Sequence, residues 1–87
     1  MQNYPNPFNG STVIRLKIGA SGHYSLRIID ASGRLVKFLF DQSLNPGQYE
    51  AVWDGINDKG EMVSSGVYFG AFASGAEQKT WKMILLR

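Results

Sequence analysis

The sequence has 87 residues, a formal net charge of +2 and no cysteine, and hydrophobic residues make up 44% of it. This length suits one small domain, and the lack of cysteine excludes disulfides, a cysteine-based zinc site and a thiol nucleophile. Basic residues are scattered rather than clustered, which argues against nucleic acid as a partner. The longest apolar stretch, residues 83–86, is far shorter than the roughly 20 residues that span a bilayer.

The N-terminal residues read as an extended segment ahead of the folded part. Prolines at positions 5 and 7 favour extended backbone. We therefore expect an N-terminal extended motif over residues 1–11 and a single domain over residues 12–87. The first residues have neither the basic nor the apolar region of a signal peptide, so we expect an export signal, if there is one, elsewhere on a longer parent protein.

The remaining chain is patterned as strands. Polar and apolar residues alternate over 12–18, 23–30 and 48–53, and this period is typical of half-buried antiparallel strands. Segments 34–40, 67–73 and 80–86 are further predicted strands, the last with Trp81, Met83 and Leu85 on one face. The residues predicted to form the core are Ile14, Leu16, Leu26, Ile28, Tyr49, Trp53 and Met83.

Turn-forming residues separate these strands. Predicted turns lie at 19–22, 30–33, 45–47 and 74–76, and a longer loop runs from 54 to 66; glycine, proline, serine and aspartate supply the backbone conformations that turns require. No apolar stripe of helical period is long enough for a helix. Six or seven short strands with regular turns predict an all-β fold, an immunoglobulin/fibronectin-III-like antiparallel β-sandwich.

Candidate catalytic and metal-binding residues are few. The single histidine, His23, opens a strand after a turn, where a solvated or packing role is favoured over that of a general base. Asp54, Asn57, Asp58 and Glu61 form one oxygen-rich cluster, but their spacing misses the alternate-position pattern of a calcium loop. Asp and Asn also favour turns for their own backbone hydrogen bonds. We expect no enzyme activity, no cofactor and no metal.

The aromatic residues leave a carbohydrate-binding hypothesis open. An exposed tryptophan on a sandwich can form a platform for a sugar ring. Trp53 and Trp81 are in phase with the apolar faces of their strands, however, and core packing is the more common role there. Core packing is therefore favoured over a sugar platform for both side chains.

One set of ordered motifs resembles a known family. Residues 3–9, Asn-Tyr-Pro-Asn-Pro-Phe-Asn, followed by Ser11-Thr12, resemble the opening of the type IX secretion C-terminal sorting domains. Further similar segments follow in order over the rest of the chain: Ile29-Asp30-x-x-Gly33-Arg34-x-Val36, Gly47-x-Tyr49, Trp53-Asp54-Gly55, Asn57-Asp58-x-Gly60, Val63-x-Ser65-Gly66-Val67-Tyr68-Phe69 and Lys82-Met83-Ile84-Leu85-Leu86-Arg87. The Trp-Asp-Gly and Ser-Gly-Val-Tyr segments are also similar to the immunoglobulin-like domain of the flagellar hook-cap scaffold family.

The resemblance implies a non-catalytic sorting and attachment module that directs a parent protein from the periplasm across the outer membrane, to the cell surface or the medium. The implied partners are the type IX secretion machinery (an outer-membrane translocon and a sortase-like peptidase) and the upstream domains of the parent, with no nucleic acid and no small-molecule substrate. Candidate sorting residues are Asn3, Tyr4, Pro5, Asn6, Pro7, Phe8, Asn9, Lys82, Leu85 and Arg87. A structural spacer or hook-cap-type assembly domain and a carbohydrate-binding module are the alternatives.

Overall fold

Seven β-strands form the structure, a computed structural model that describes residues 3–75 and 77–87. The strands are β1 (Asn3–Tyr4), β2 (Thr12–Ile18), β3 (Gly22–Asp30), β4 (Leu35–Leu44), β5 (Gly47–Trp53), β6 (Gly66–Ser74) and β7 (Glu77–Leu85). The described residues include no helix that is long and apolar enough to cross a membrane. Ala76, which was expected in the last turn, lies outside the described residues.

The strands form two antiparallel sheets. The three-stranded sheet has the order β1-β2-β5, and the four-stranded sheet has the order β4-β3-β6-β7. Register shifts interrupt the pairing of β3 with β4 after Leu26 and after Ile28. This arrangement confirms the predicted all-β sandwich of immunoglobulin/fibronectin-III-like type.

The core lies between the inner faces of the sheets. Ile14, Leu16, Leu26, Ile28, Trp53 and Met83 are at most 2% exposed, as the alternation of their strands predicts, and burial of each large side chain contributes roughly 1.5–3 kcal/mol. The expectation for Tyr49 is wrong, because this side chain is only partly buried and packs at the margin of the core. Phe8 and Leu85 belong to the core as well.

A repeated Gly-x-Tyr motif ties three tyrosines, including Tyr49, to the loops before their strands. Three strands begin in this way, and each tyrosine hydroxyl donates a 2.7 Å hydrogen bond to the carbonyl four residues earlier: Tyr24 to Ala20, Tyr49 to Asn45 and Tyr68 to Ser64. The tyrosine rings lie close to the preceding glycines, where an added Cβ would be 3.7, 3.8 and 4.0 Å from the nearest ring atom. The ring of Tyr68 is buried at 7% exposure, whereas the rings of Tyr24 and Tyr49 are only partly buried at the margin of the core.

The turn between β3 and β4 is held by a carboxylate. Oδ1 of Asp30 accepts hydrogen bonds from the hydroxyl of Ser32 at 2.6 Å and from the backbone N–H of Arg34 at 3.0 Å, and Gly33 supplies a φ of 89°. The hydrogen bond from the Ser32 hydroxyl, and to a lesser extent the one from the Arg34 amide, holds the pKa of Asp30 below its usual range. The stabilisation that they provide is present at neutral pH and is lost as the pH falls through this lowered pKa.

The oxygen-rich cluster in the loop at 54–66 binds backbone amides. Oδ1 of Asn57 accepts a hydrogen bond from the N–H of Glu61 at 3.0 Å, and the carboxylate of Asp58 accepts one from the N–H of Phe38 at 3.1 Å. These side-chain oxygens therefore shape the loop, and Asp58 covers part of the outer edge of β4. No group of three or more potential metal-ligating His, Asp or Glu side chains occurs in the described part of the chain.

Candidate functional site beside the last strand

The N-terminal segment, residues 3–9, crosses from one sheet to the other. Asn3 pairs with Ile14 of β2 at one end. At the other end, Phe8 forms a parallel bridge with Leu85, in which the N–H of Phe8 donates to the carbonyl of Ile84 at 2.9 Å. The proposed boundary between residues 11 and 12 stays a prediction, but residues on its N-terminal side pair with β2 and pack in the core.

The side chain of Asn6 extends this cover along β7. Its Nδ2 donates to the carbonyl of Lys82 at 3.0 Å, and its Oδ1 accepts from the N–H of Ile84 at 3.0 Å. The carboxamide thus binds the strand as a neighbouring peptide group would. Edge strands otherwise present unpaired backbone groups, so residues 6–8 protect the C-terminal half of the β7 edge.

Beside this contact lies a cleft of about 590 Å³. It is called the β7 cleft here, and its lining residues are Asn3, Tyr4, Pro5, Asn6, Pro7, Trp81 and Lys82. All of them except Trp81 are candidate sorting residues. The hydrogen bond between Asn6 and Lys82 joins positions 76 residues apart, so the fold gathers the two terminal motifs at one place.

The other candidate sorting residues lie elsewhere. Phe8 and Leu85 are buried, at 2% and 0% exposure, and support the cleft from within the core. Asn9 is exposed and does not line the cleft. The guanidinium of Arg87 donates to the carbonyls of Val63 and Gly55, both at 2.7 Å, which fastens the chain end to the loop at 54–66.

Two residues that line the cleft each contain an unpaired polar atom. Asn3 is 5% exposed, and its Nδ2 donates to Oγ1 of Thr12 at 3.0 Å, while that hydroxyl donates to the carbonyl of Pro5 at 2.8 Å. The Thr12 hydroxyl donates its proton to the carbonyl of Pro5 and can therefore only accept a hydrogen bond from Asn3. The amide atom of Asn3 that faces Thr12 must then be Nδ2. Oδ1 of Asn3 and Nε1 of Trp81 are both buried without a hydrogen-bond partner, although buried polar groups are normally paired.

Trp81 occupies the inner face of β7, as predicted, but is only half-buried because it forms a wall of the cleft. Its partner in the register is Gly70 of β6, and a Cβ added there would lie 2.6 Å from ring atoms Cε2 and Cη2. Sequence reasoning did not identify Trp81 as a site residue. The available signal was a glycine inside an apolar strand, which often marks the close approach of another group.

Because of this contact, Gly70→Ala is expected to lower the free energy of unfolding by about 1–3 kcal/mol, the usual cost of overpacking. Thermal and urea unfolding of the two proteins would measure it. The matched control is the same substitution in a Trp81→Ala background, where the penalty should largely disappear. An equal penalty in both backgrounds would contradict the contact.

One cationic side chain, that of Lys82, lines the cleft. The described residues form three ion pairs, Arg15–Glu50, His23–Asp41 and Lys37–Asp58. Lys79 and Lys82, both exposed on β7, take part in none of these. Lys82 points outward, as the alternation of β7 predicts, and a ligand that reaches the cleft therefore meets its free ammonium group.

A family model described as the secretion system C-terminal sorting domain matches residues 2–86. The chain belongs to this family. The resemblance of the ordered motifs is thereby confirmed, and the domain is a C-terminal sorting domain of type IX secretion, for export by way of the periplasm to the cell surface or the medium.

Two solved structures from one organism are similar to the sorting domain. The sorting domain is similar to part of dimeric latent PorU from Porphyromonas gingivalis, with a TM-score of 0.70, 23% identity, and coverage of 98% of this chain and 9% of that one. It is also similar to part of PorZ from the same organism, an essential surface component of its type-IX secretion system, with a TM-score of 0.65, 25% identity, and coverage of 99% and 11%. The sorting domain thus spans about a tenth of either protein. No curated protein matches.

A third similar structure supports the fold alone. FLGD from P. aeruginosa gives a TM-score of 0.64 at 18% identity, over 85% of this chain and 57% of that one. The sequence similarity to the hook-cap scaffold family thus corresponds to a shared sandwich fold.

Proposed function

We propose that the sorting domain acts as a non-catalytic address label, and that its receptor reads the β7 cleft of the folded domain. The observation that carries this proposal is the convergence of Asn3–Pro7 with Lys82 around one cleft. A folded surface can be recognised by shape, charge and backbone groups without any reactive side chain. The proposed partners are the outer-membrane translocon and a sortase-like peptidase, with the upstream domains of a longer parent protein as cargo.

Lys82 is the residue on which this proposal is tested. Lys82→Ala is expected to change the free energy of unfolding by less than about 0.5 kcal/mol, as exposed substitutions usually do, and to reduce export strongly. A reporter fused ahead of residues 1–87 would be expressed in a host with type IX secretion, and its surface display or release would be measured. A purified variant would report the stability.

Lys17→Ala is the matched control, because Lys17 is an exposed lysine on β2 outside the cleft and should leave export unchanged. Equal export of the Lys82→Ala and unsubstituted fusions would refute the assignment of Lys82. Retention of the unsubstituted fusion in the periplasm would instead favour a structural spacer.

The carbohydrate-binding alternative is weakened by the burial of the tryptophans. Trp53 is 0% exposed and cannot form a sugar platform, while Trp81 presents only part of its ring in the cleft. The spacer or hook-cap-type alternative draws support from the shared fold with FLGD, and the export assay separates it from a sorting function.

A further inference from the structure

The outer edge of β7 is covered over only part of its length. The N–H and C=O groups of one residue in an antiparallel strand point to the same side, and this side alternates along the chain. Both backbone groups of Ile84 point away from β6, toward Asn6 and Phe8. By this alternation the backbone groups of Gln78, Thr80 and Lys82 point outward as well.

Those outward groups form a free edge. β7 is the last strand of its sheet and pairs only with β6. Of the outward groups of Gln78, Thr80 and Lys82, only the carbonyl of Lys82 has a partner within the described residues, the amide of Asn6. The N–H of Lys82 and both backbone groups of Gln78 and Thr80 are left for another strand, and this free edge leads directly into the β7 cleft.

The cleft supplies a second feature that suits a peptide. Oδ1 of Asn3 is an acceptor and Nε1 of Trp81 is a donor, and both atoms are buried and unpaired in residues that line the cleft. A peptide backbone carries both donors and acceptors, so a peptide in the cleft offers the kinds of group that these two residues lack. Lys82 lines the cleft and Lys79 is exposed farther along β7, so both favour carboxylate side chains on a ligand that follows this strand.

We propose that an extended, acidic segment of a partner protein adds to the sheet along Gln78–Lys82 and continues into the β7 cleft beside Asn3 and Trp81. Addition of a strand to an exposed edge is a common mode of peptide recognition, in which main-chain hydrogen bonds supply affinity and flanking pockets supply specificity. The free edge favours a peptide over a sugar, since a sugar has no regular series of amides to pair with it. The inference rests on the proposed function only in taking the partner from the secretion machinery.

A titration of the ¹⁵N-labelled domain followed by NMR would test the inference. The probe is the capped hexapeptide acetyl-Thr-Glu-Val-Thr-Glu-Val-amide. We expect saturable shifts in the amides of Gln78, Thr80 and Lys82 and in the indole N–H of Trp81. The indole N–H of Trp53 is the internal reference, because it already donates to the carbonyl of Ile56 at 3.1 Å and should not move.

Two controls separate strand addition from charge attraction. The same peptide N-methylated at two adjacent central amides keeps its carboxylates but has both edges blocked, so its affinity should fall about tenfold or more, the equivalent of one to three net hydrogen bonds. Thr80→Pro removes one outward N–H without touching the ladder to β6, a position where proline is tolerated, and should weaken binding similarly. If this variant does not fold, the N-methylated peptide alone decides the question.

Several results would overturn the inference. Equal binding of the two peptides would do so, as would shifts confined to other parts of the domain. So would shifts with maltohexaose but not with the peptide, or a Trp81 indole N–H signal that does not move at any peptide concentration. Failure of peptide binding with export still dependent on Lys82 would leave the address label intact and exclude strand addition. Peptide binding in a domain that does not direct export would contradict the proposed function alone.

Discussion

Trp53→Ala is expected to lower the free energy of unfolding by about 3–5 kcal/mol, the usual range for removing a large aromatic side chain from a core. Trp53 is 0% exposed, and its ring centroid lies 5.5 Å from that of Phe8 and 5.2 Å from that of Tyr68. Its indole also donates to the carbonyl of Ile56. Small domains have only about 5–15 kcal/mol of total stability, so this variant should be close to unfolding at 37 °C.

Urea unfolding monitored by circular dichroism would measure the effect of Trp53→Ala. Trp53→Phe is the matched control, since it keeps most of the ring packing and loses the hydrogen bond to Ile56, and its effect should be clearly smaller. An unchanged midpoint for the alanine variant would contradict the position of Trp53 at the centre of the core.

Phe8→Ala is expected to have an effect of similar size, about 3–5 kcal/mol, although Phe8 belongs to a segment that reads as a linker. Its side chain is 2% exposed and packs against Trp53, and its backbone bonds to Ile84 and Leu86. Loss of this anchor should also loosen residues 3–7, which line the β7 cleft. Export of a fusion carrying Phe8→Ala should therefore fall together with its stability.

Asn9→Ala is the comparison for stability, since Asn9 is the exposed neighbour of Phe8. Thermal unfolding and the export assay would be applied to both variants. A Phe8→Ala domain with unchanged stability and abolished export would mean that a receptor contacts Phe8 directly, contrary to its burial. An unstable domain with normal export would show that an intact cleft is not required.

The strands could be predicted where side chains alternate between core and solvent. β2 begins and ends where the alternation does, at Thr12 and Ile18. β4 continues to Leu44, beyond the predicted end at Phe40, because Asp41–Ser43 are exposed on the edge of the sheet and pair with β3 through their backbone. Such residues bury no apolar side chain, and hydrophobic periodicity therefore cannot reveal them.

The sequence predicts the two terminal motifs of the candidate site, but not that the fold brings them together at one cleft. β1 has only two residues, too few for any periodic signal, and the prolines after it suggest a linker. The contacts of Asn6 with β7 depend on which strand ends at the edge of the sheet, and this is decided by the tertiary fold. Trp81 was assigned to the correct face, but its position at the side of the sandwich, where it forms a wall of the cleft, has no counterpart in the local sequence.

Because Asn6 and Phe8 bind β7, the β7 cleft forms only after nearly the whole domain has been synthesised and folded. Its two walls are made from residues 76 positions apart, so the ribosome must produce nearly all of the domain before either wall can find the other. Contacts this distant in sequence are also among the slowest to form. A chain that breaks off before Lys82 has no cleft, and neither does a chain that is still unfolded as it enters the periplasm. A receptor that binds this cleft would therefore bind only full-length, folded domains, and no separate recognition of unfolded chains would be needed.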